Sequence, residues 1–282
     1  MPANTRRYLF SGHESFFCKP LWLKKGYDAY MSGTSFSSPE AVAVLGVGKN
    51  MVSSIRYWLN AFGILENGTV APWADAIFRD GGWDPYMEDE GTLWLLHYAL
   101  VSRRVASIYA LTFLDFRREK KVFDKAQLQA FISRKCSDPD QKNTFNANTV
   151  GKDINVLLHN YLLSEKAKSN EDYSAIFLDL GLMVHEEGDR YAFGETPLAR
   201  IHPDILLYVL LDYGEKTLSL DALQEIALIF GLTMTDLAVL LRRIVQEHPE
   251  EVTYTDNSGV KNFQFLKELD PAAVLGHYYT GV

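Results

Sequence analysis

Cysteine is scarce in this sequence, since its 282 residues include only Cys18 and Cys136. Two cysteines are too few for a disulfide framework or for a zinc site built on paired CxxC motifs. The sequence also lacks a long uncharged apolar run, and its first residues lack the apolar core of a secretory signal. We therefore predict neither a transmembrane helix nor a signal peptide, and we expect a cytoplasmic protein.

Several catalytic signatures are missing as well. The sequence contains no P-loop, no GxGxxG, no HExxH and no GxSxG, which removes support for nucleotide hydrolysis and for serine hydrolysis. Hydrophobic residues make up 47% and charged residues 23% of the chain. These fractions are typical of folded proteins and argue against disorder as the main state.

Charge is distributed unevenly along the chain. The formal net charge is −8, which argues against a protein that coats nucleic acid without specificity. Residues 1–70 nevertheless carry seven Lys or Arg against four Asp or Glu, whereas residues 166–282 carry nine against nineteen. If the protein binds nucleic acid, we expect the first half of the chain to do so.

Three predicted helices share one apolar spacing of i, i+4, i+7, i+8 and i+11. The first has Met51, Ile55, Trp58, Leu59 and Phe62, and the second has Val150, Ile154, Leu157, Leu158 and Tyr161. The third has Leu237, Leu241, Ile244 and Val245, with His248 at the fifth position. Each places its apolar residues on one face and follows another predicted helix. Alternating segments at 252–255 and 260–265 then predict a hairpin.

The order helix, turn, helix, hairpin is that of a winged helix. We therefore predict a mainly α fold with small β-hairpins, arranged as tandem winged-helix-like domains. Residues 1–90 would hold an N-terminal region and the first unit, 91–195 a helical linker and the second unit, and 196–282 the third. The competing interpretation is an ordinary all-α protein, in which pairs of amphipathic helices are common. Winged helices also serve as protein docking units, so three units do not imply three DNA contacts.

The outward face of the first of these helices suits DNA. It carries Lys49, Asn50, Ser53, Arg56 and Tyr57, and such side chains contact phosphates and base edges. No carboxylate interrupts residues 41–65, and Lys24 and Lys25 add positive charge nearby in the sequence. The alternative is the solvated polar face that every surface helix needs.

The other two helices are weaker candidates. The second is expected to expose Asn148, Lys152, Asn155 and Asn160 beside one acid, Asp153, and Lys152 is its predicted DNA contact. On the third, acidic residues surround Arg242 and Arg243. These acids would repel phosphate at short range, so protein docking is favoured for that unit.

Candidate catalytic residues are few. His13 and Glu14 are adjacent, so they could form a base or a metal site only with help from another segment; the alternative is a His packed under nearby aromatic rings. A cluster of carboxylates at 75–90 includes Glu88, but Asp89 or Glu90 would also suit the start of a helix at Thr92. Cys18 could be a nucleophile activated by Lys19 or, more commonly, inert packing.

Two segments carry a family resemblance. Residues 10–16 read Phe-Ser-Gly-His-Glu-Ser-Phe and are followed by Lys19 and by Trp-Leu-Lys-Lys-Gly at 22–26. Residues 84–97 read Asp-Pro-Tyr-Met-Glu-Asp-Glu-Gly-Thr-Leu-Trp-Leu-Leu-His. Both segments resemble the bacterial and archaeal family known as domain of unknown function 4007. The resemblance extends over nearly the whole chain.

The resemblance implies a role in DNA phosphorothioation, the sulfur modification of DNA that supports phage defence. One branch of the family is the DNA-nicking component of such systems, which implies a metal-dependent endonuclease using Mg²⁺ or Mn²⁺. His13, Glu14 and Lys19 would then be the catalytic candidates and Glu88 a metal ligand. The expected partners are DNA, a sulfur-transfer enzyme and an ATPase, with no membrane. The alternative is a non-catalytic winged-helix reader or adaptor that recruits the modification enzymes.

Overall fold

The computed structural model describes residues 7–163, 174–257 and 260–281. It is mainly helical with small antiparallel sheets, as predicted. The chain divides into two compact units, Pro2–Gly194 and Glu195–Val282. The predicted boundary between 195 and 196 lies beside this division, and the predicted division at 90 falls within the first unit.

The first elements of the larger unit include the helix predicted to contact DNA. In chain order they are α1 (Pro20–Met31), α2 (Glu40–Leu45) and α3 (Lys49–Ala61), followed by β1 (Leu65–Glu66), β2 (Thr69–Val70) and α4 (Pro72–Phe78). α1 packs on α3 at Gly26, where an added Cβ would lie 2.6 Å from Ile55 and 2.9 Å from Leu59. Glycine is therefore required at this crossing.

The remainder of this unit is built around a buried helix. Its elements are α5 (Glu90–Ser102), α6 (Ser107–Ala110), a π-helical stretch (Leu111–Phe116), α7 (Arg117–Glu119), β3 (Val122–Asp124), α8 (Lys125–Lys135), α9 (Ala147–Tyr161), β4 (Met183–His185) and β5 (Arg190–Phe193). The segment predicted as a linker includes α5, in which residues 91–101 are all buried. A helix that is apolar on every side belongs in a core.

The smaller unit contains α10 (Pro203–Asp212), β6 (Thr217–Leu218), α11 (Leu220–Phe230), α12 (Met234–Glu247), β7 (Val252–Asn257), β8 (Val260–Phe265) and α13 (Pro271–Thr280). The predicted hairpin is confirmed, because β7 and β8 pair in antiparallel register from Val252 with Phe265 to Asn257 with Val260. Its predicted turn partly lies outside the described residues.

Two segments share one topology. In each, a helix is followed by a strand, two helices and two further strands, and the last strand lies in the middle of an antiparallel sheet. The sheet orders are β3-β5-β4 and β6-β8-β7. The helices preceding the paired strands are α9 and α12, two of the three that share the apolar spacing. Within the described ranges, no helix combines the length and the apolarity needed to cross a membrane.

Candidate nucleic-acid interface

The segment from Ser11 to Cys18 is held between α3 and α9. From α9, the Asp153 carboxylate accepts the Ser11 N–H at 3.0 and 3.1 Å, and Asn160 Oδ1 accepts the Cys18 N–H at 2.9 Å. From α3, Trp58 Nε1 donates to the Phe16 carbonyl at 3.2 Å. The N-terminal motif therefore joins the two helices.

His13 is packed at the centre of this segment and is only 1% exposed. Its Nδ1 accepts the Ser15 N–H at 3.1 Å, so the proton of the neutral ring is on Nε2. Nε2 lies 3.1 Å from Asp153 Oδ1, without the alignment of a hydrogen bond. The ring stacks on Trp58 with centroids 5.9 Å apart. His13 therefore packs against aromatic rings, but the rings are those of Tyr57 and Trp58 on α3 rather than the ones nearby in the sequence that were expected.

The backbone of this segment is unusual. Ser11, Glu14 and Ser15 adopt left-handed conformations, with φ of 72°, 50° and 65°. Each costs free energy and persists only where the surrounding structure imposes it. Gly12 lies against Tyr57, and an added Cβ would be 2.2 Å from its ring. The loop is thus pressed onto α3, and it leaves Glu14 exposed.

The face of α3 that was predicted to contact DNA lines a groove of about 840 Å³. The α3 residues that line it are Lys49, Val52, Ser53, Arg56, Tyr57 and Asn60, and the other lining residues are Leu9, Phe36, Ser37, Ser38, Pro39, Val42 and Val105. No carboxylate is among them. Burial, and then the charge of Asp153, raise the pKa of Tyr57 well above its usual range, so its hydroxyl stays neutral.

The two cations of this groove are available for a ligand. Lys49 and Arg56 are exposed, and neither makes an ion pair within the described part of the chain. Asn50 and Ser53 are exposed beside them. The structure thus brings five predicted DNA-binding residues to one helix, and His13 contacts Tyr57 there with ring centroids 5.8 Å apart.

The lysines of the N-terminal motif differ in their surroundings. Lys24 is buried, and its Nζ lies 2.6 Å from Asp28 and 3.1 Å from Asp80. Burial lowers the pKa of Lys24, but the hydrogen bonds to these two carboxylates outweigh it and leave the pKa raised. Its charge is already matched, so the structure does not support the prediction that Lys24 contacts DNA. Lys25 is exposed on α1, and Lys19 lies over the Trp22 ring at 5.6 Å.

On the second helix, α9, part of the predicted surface is buried. Lys152, Asn148 and Asn155 are exposed, and Asn155 accepts a hydrogen bond from Lys125 at 2.7 Å. Asn160 and Asp153, which were expected at the surface, are 0% and 2% exposed. They lie seven residues apart and therefore share a face, which is the face that holds the N-terminal motif. Their position next to apolar Val150 and Leu157 was the only signal of burial.

On the third helix, α12, both arginines have acidic partners. Arg242 pairs with Asp256 of β7 at 2.9 Å, and Arg243 pairs with Glu247 at 2.9 Å. These pairs agree with the expectation that acids neutralise this face.

The predicted metal ligand, Glu88, is exposed. Within the part of the chain that the structure describes, its contact is with Asp84 and not with the N-terminal motif at residues 11–18. Its N–H and that of Asp89 donate to the Asp84 carboxylate at 2.9 and 3.0 Å. Asp89 in turn caps α5 by accepting the Gly91 N–H, as the helix-start interpretation predicts. Among the described residues, no three His, Cys, Asp or Glu side chains converge. The described residues around Glu88 therefore do not form a metal centre by themselves.

Cys18 is inert packing. It is 0% exposed, and burial raises the pKa of its thiol well above the ordinary value. A buried neutral thiol is a poor nucleophile, so the packing interpretation applies.

The chain resembles known proteins in sequence and in fold. The model of the family described as "protein of unknown function (DUF4007)" matches residues 10–279. The chain belongs to the DUF4007 family. This DUF4007 protein is also similar to a crystal structure of magnesium ion-bound SspB, with a TM-score of 0.81, 26% sequence identity, and coverage of 96% of this chain and 87% of that chain. A second SspB crystal structure gives a TM-score of 0.80 with the same identity and coverage. No curated protein matches the chain.

Proposed function

We propose that this protein binds DNA through the exposed side of α3, as a cytoplasmic component of a DNA phosphorothioation system that supports phage defence. The observation that carries the proposal is the pair of exposed cations, Lys49 and Arg56, on a groove that no carboxylate lines. Phosphate binding needs cations of this kind. Family membership and the similarity to SspB support the defence setting, in which a sulfur-transfer enzyme and an ATPase would be partners.

We propose further that the chain contains three winged-helix-like units. The two segments with sheet orders β3-β5-β4 and β6-β8-β7 support this for the second and third units. In the first unit, α1, α2 and α3 precede the short β1–β2 hairpin. α3 then occupies the position of a recognition helix, which is where DNA contacts are concentrated in this fold.

The test is DNA affinity, measured by fluorescence anisotropy with a labelled DNA at about 50 mM salt. The double variant Lys49→Ala with Arg56→Ala should bind at least tenfold more weakly, because two phosphate contacts are lost. The matched control is Arg242→Ala with Arg243→Ala on α12, which removes the same charge and should change the affinity by less than about twofold. Equal loss in both pairs would show that net charge, rather than α3, determines binding.

DNA nicking is a second candidate activity. It is favoured by the magnesium ion in one SspB structure and by the strained loop that exposes Glu14 next to α3. Here Glu14 and Lys19 would act at the DNA backbone, while His13 and Asp153 would hold the loop. Among the residues that the structure describes, no cluster fits a cation, so in this proposal DNA or a partner supplies further ligands of the metal.

A supercoiled plasmid tests this second activity. Open-circle product that needs Mg²⁺ or Mn²⁺ and is lost in Glu14→Ala, but kept in Glu88→Ala, would support a nickase centred on the N-terminal motif. Loss in Glu88→Ala alone would move the centre to the segment before α5. A band shift with no product from the wild-type protein would contradict nicking and leave the DNA-binding proposal standing.

A further inference from the structure

The side of α3 that is predicted to contact DNA forms one wall of a groove. Six α3 residues, spaced along one face from Lys49 to Asn60, contribute to the lining of the groove. The rest of the lining comes from residues 36–42 and from Leu9 with Val105. A helix that reads duplex DNA must enter a major groove about 12 Å wide and 8.5 Å deep. Because neighbouring segments stand beside this exposed face, an unpaired nucleotide fits against it better than an intact duplex does.

The groove has the size and chemistry of a nucleotide site. Its volume of about 840 Å³ lies within the range of small-ligand pockets. Phe36 and Val42 give it aromatic and apolar surface, which suits a base, because single-strand sites stack bases on such side chains. The Ser53 hydroxyl donates to the Lys49 carbonyl at 3.4 Å, which leaves its oxygen able to accept a hydrogen bond from a base.

The cations complete this match. Lys49 and Arg56 lie seven residues apart on one helix, which places them about 10 Å apart along its axis. They can therefore contact successive phosphates of one strand. The absence of carboxylates from the lining means that nothing in the groove repels that strand.

We infer that the α3 groove takes an unpaired nucleotide of a DNA strand, with its base against Phe36 and Val42 and its phosphates on Lys49 and Arg56. The inference rests on the proposed DNA binding and specifies its substrate: single-stranded or locally opened DNA rather than intact duplex.

The experiment compares three labelled DNAs of one sequence: a single strand, a matched duplex, and a duplex with a central bubble. Affinity is measured by anisotropy for the full chain and for Phe36→Ala, which removes the aromatic surface of the groove and keeps both cations. Val44→Ala is the control, since Val44 is an apolar side chain that is 56% exposed and does not line the groove.

The wild-type protein and Val44→Ala should bind the single strand and the bubble about tenfold more tightly than the duplex, the size expected for one stacked base. Phe36→Ala should lose this preference, and a preference kept in Phe36→Ala would overturn the inference. Equal wild-type affinity for all three DNAs would overturn the inference and leave the proposed function intact. No binding of any DNA would overturn both.

Two competitors test whether the groove binds a ligand other than a DNA strand. A free deoxynucleoside monophosphate that displaces the single strand at micromolar concentration would assign the groove to small nucleotides. A poly-glutamate peptide that competes as well as the oligonucleotide would assign it to an acidic protein. Either result would overturn the DNA assignment, whereas failure of both competitors supports it.

Discussion

Two helices, α3 and α12, share a buried pattern and differ in what surrounds their charges. Ile55 on α3 and Leu241 on α12 occupy the same position in the repeated spacing, and both are 0% exposed. On the outer side, Lys49 and Arg56 are exposed on a groove without carboxylates, whereas Arg242 and Arg243 are each paired with an acid at 2.9 Å. The apolar spacing determines which side packs inward. The neighbouring acids determine whether the other side can attract phosphate.

The largest effect is expected from the buried apolar pattern that α3 and α12 share. Ile55→Ala and Leu241→Ala should each lower the free energy of unfolding by about 2–5 kcal/mol, because both leave a cavity in a core. Tryptophan fluorescence follows the larger unit, since all five tryptophans lie before residue 95, and circular dichroism follows both units during urea unfolding. A cost below about 1 kcal/mol at either position would show that the two helices do not share a buried pattern.

A smaller effect is expected on α9, where polar residues serve the core. Asp153→Asn would place an amide against the protonated Nε2 of His13 and weaken the bonds from Ser11. We expect a loss of about 1–3 kcal/mol, the cost of an unsatisfied buried polar group, measured by urea unfolding. The neighbouring exposed change Lys152→Ala should stay within about 0.5 kcal/mol. Similar costs at both positions would contradict the buried role of Asp153.

The smallest effect is expected from the acidic partners of the arginines on α12, which α3 lacks. Glu247→Gln with Asp256→Asn removes the partners of the α12 arginines and should raise DNA affinity by about two- to fivefold, the range set by exposed ion pairs. Asp221→Asn with Glu268→Gln makes the same charge change in the same unit without releasing those arginines. An equal rise in both double variants would show that only net charge matters, and would remove the argument from local pairing.

Local sequence signals predicted much of the fold. The repeated spacing located α3, α9 and α12, and the alternating segments located the β7–β8 hairpin. These features depend on residues close together in the chain, which is why a single sequence reveals them.

Features that depend on distant contacts were not predictable. The sequence suggested that Lys24 is a free surface cation, but the structure pairs it with the exposed Asp80, which is far away in the sequence. The sequence predicted that Asn160 and Asp153 are exposed to solvent, but the N-terminal motif covers that side of α9. The sequence showed His13 and α3 as separate candidates and could not show that the motif packs onto Tyr57 and Trp58.

The most direct test of the central claim is the salt dependence of DNA binding. The logarithm of the association constant is plotted against the logarithm of salt concentration for the wild-type chain and for Lys49→Ala with Arg56→Ala. The α3 account predicts that the slope of the variant is smaller by about two, one for each lost phosphate contact. An unchanged slope would show that Lys49 and Arg56 do not meet the DNA backbone and would contradict the account.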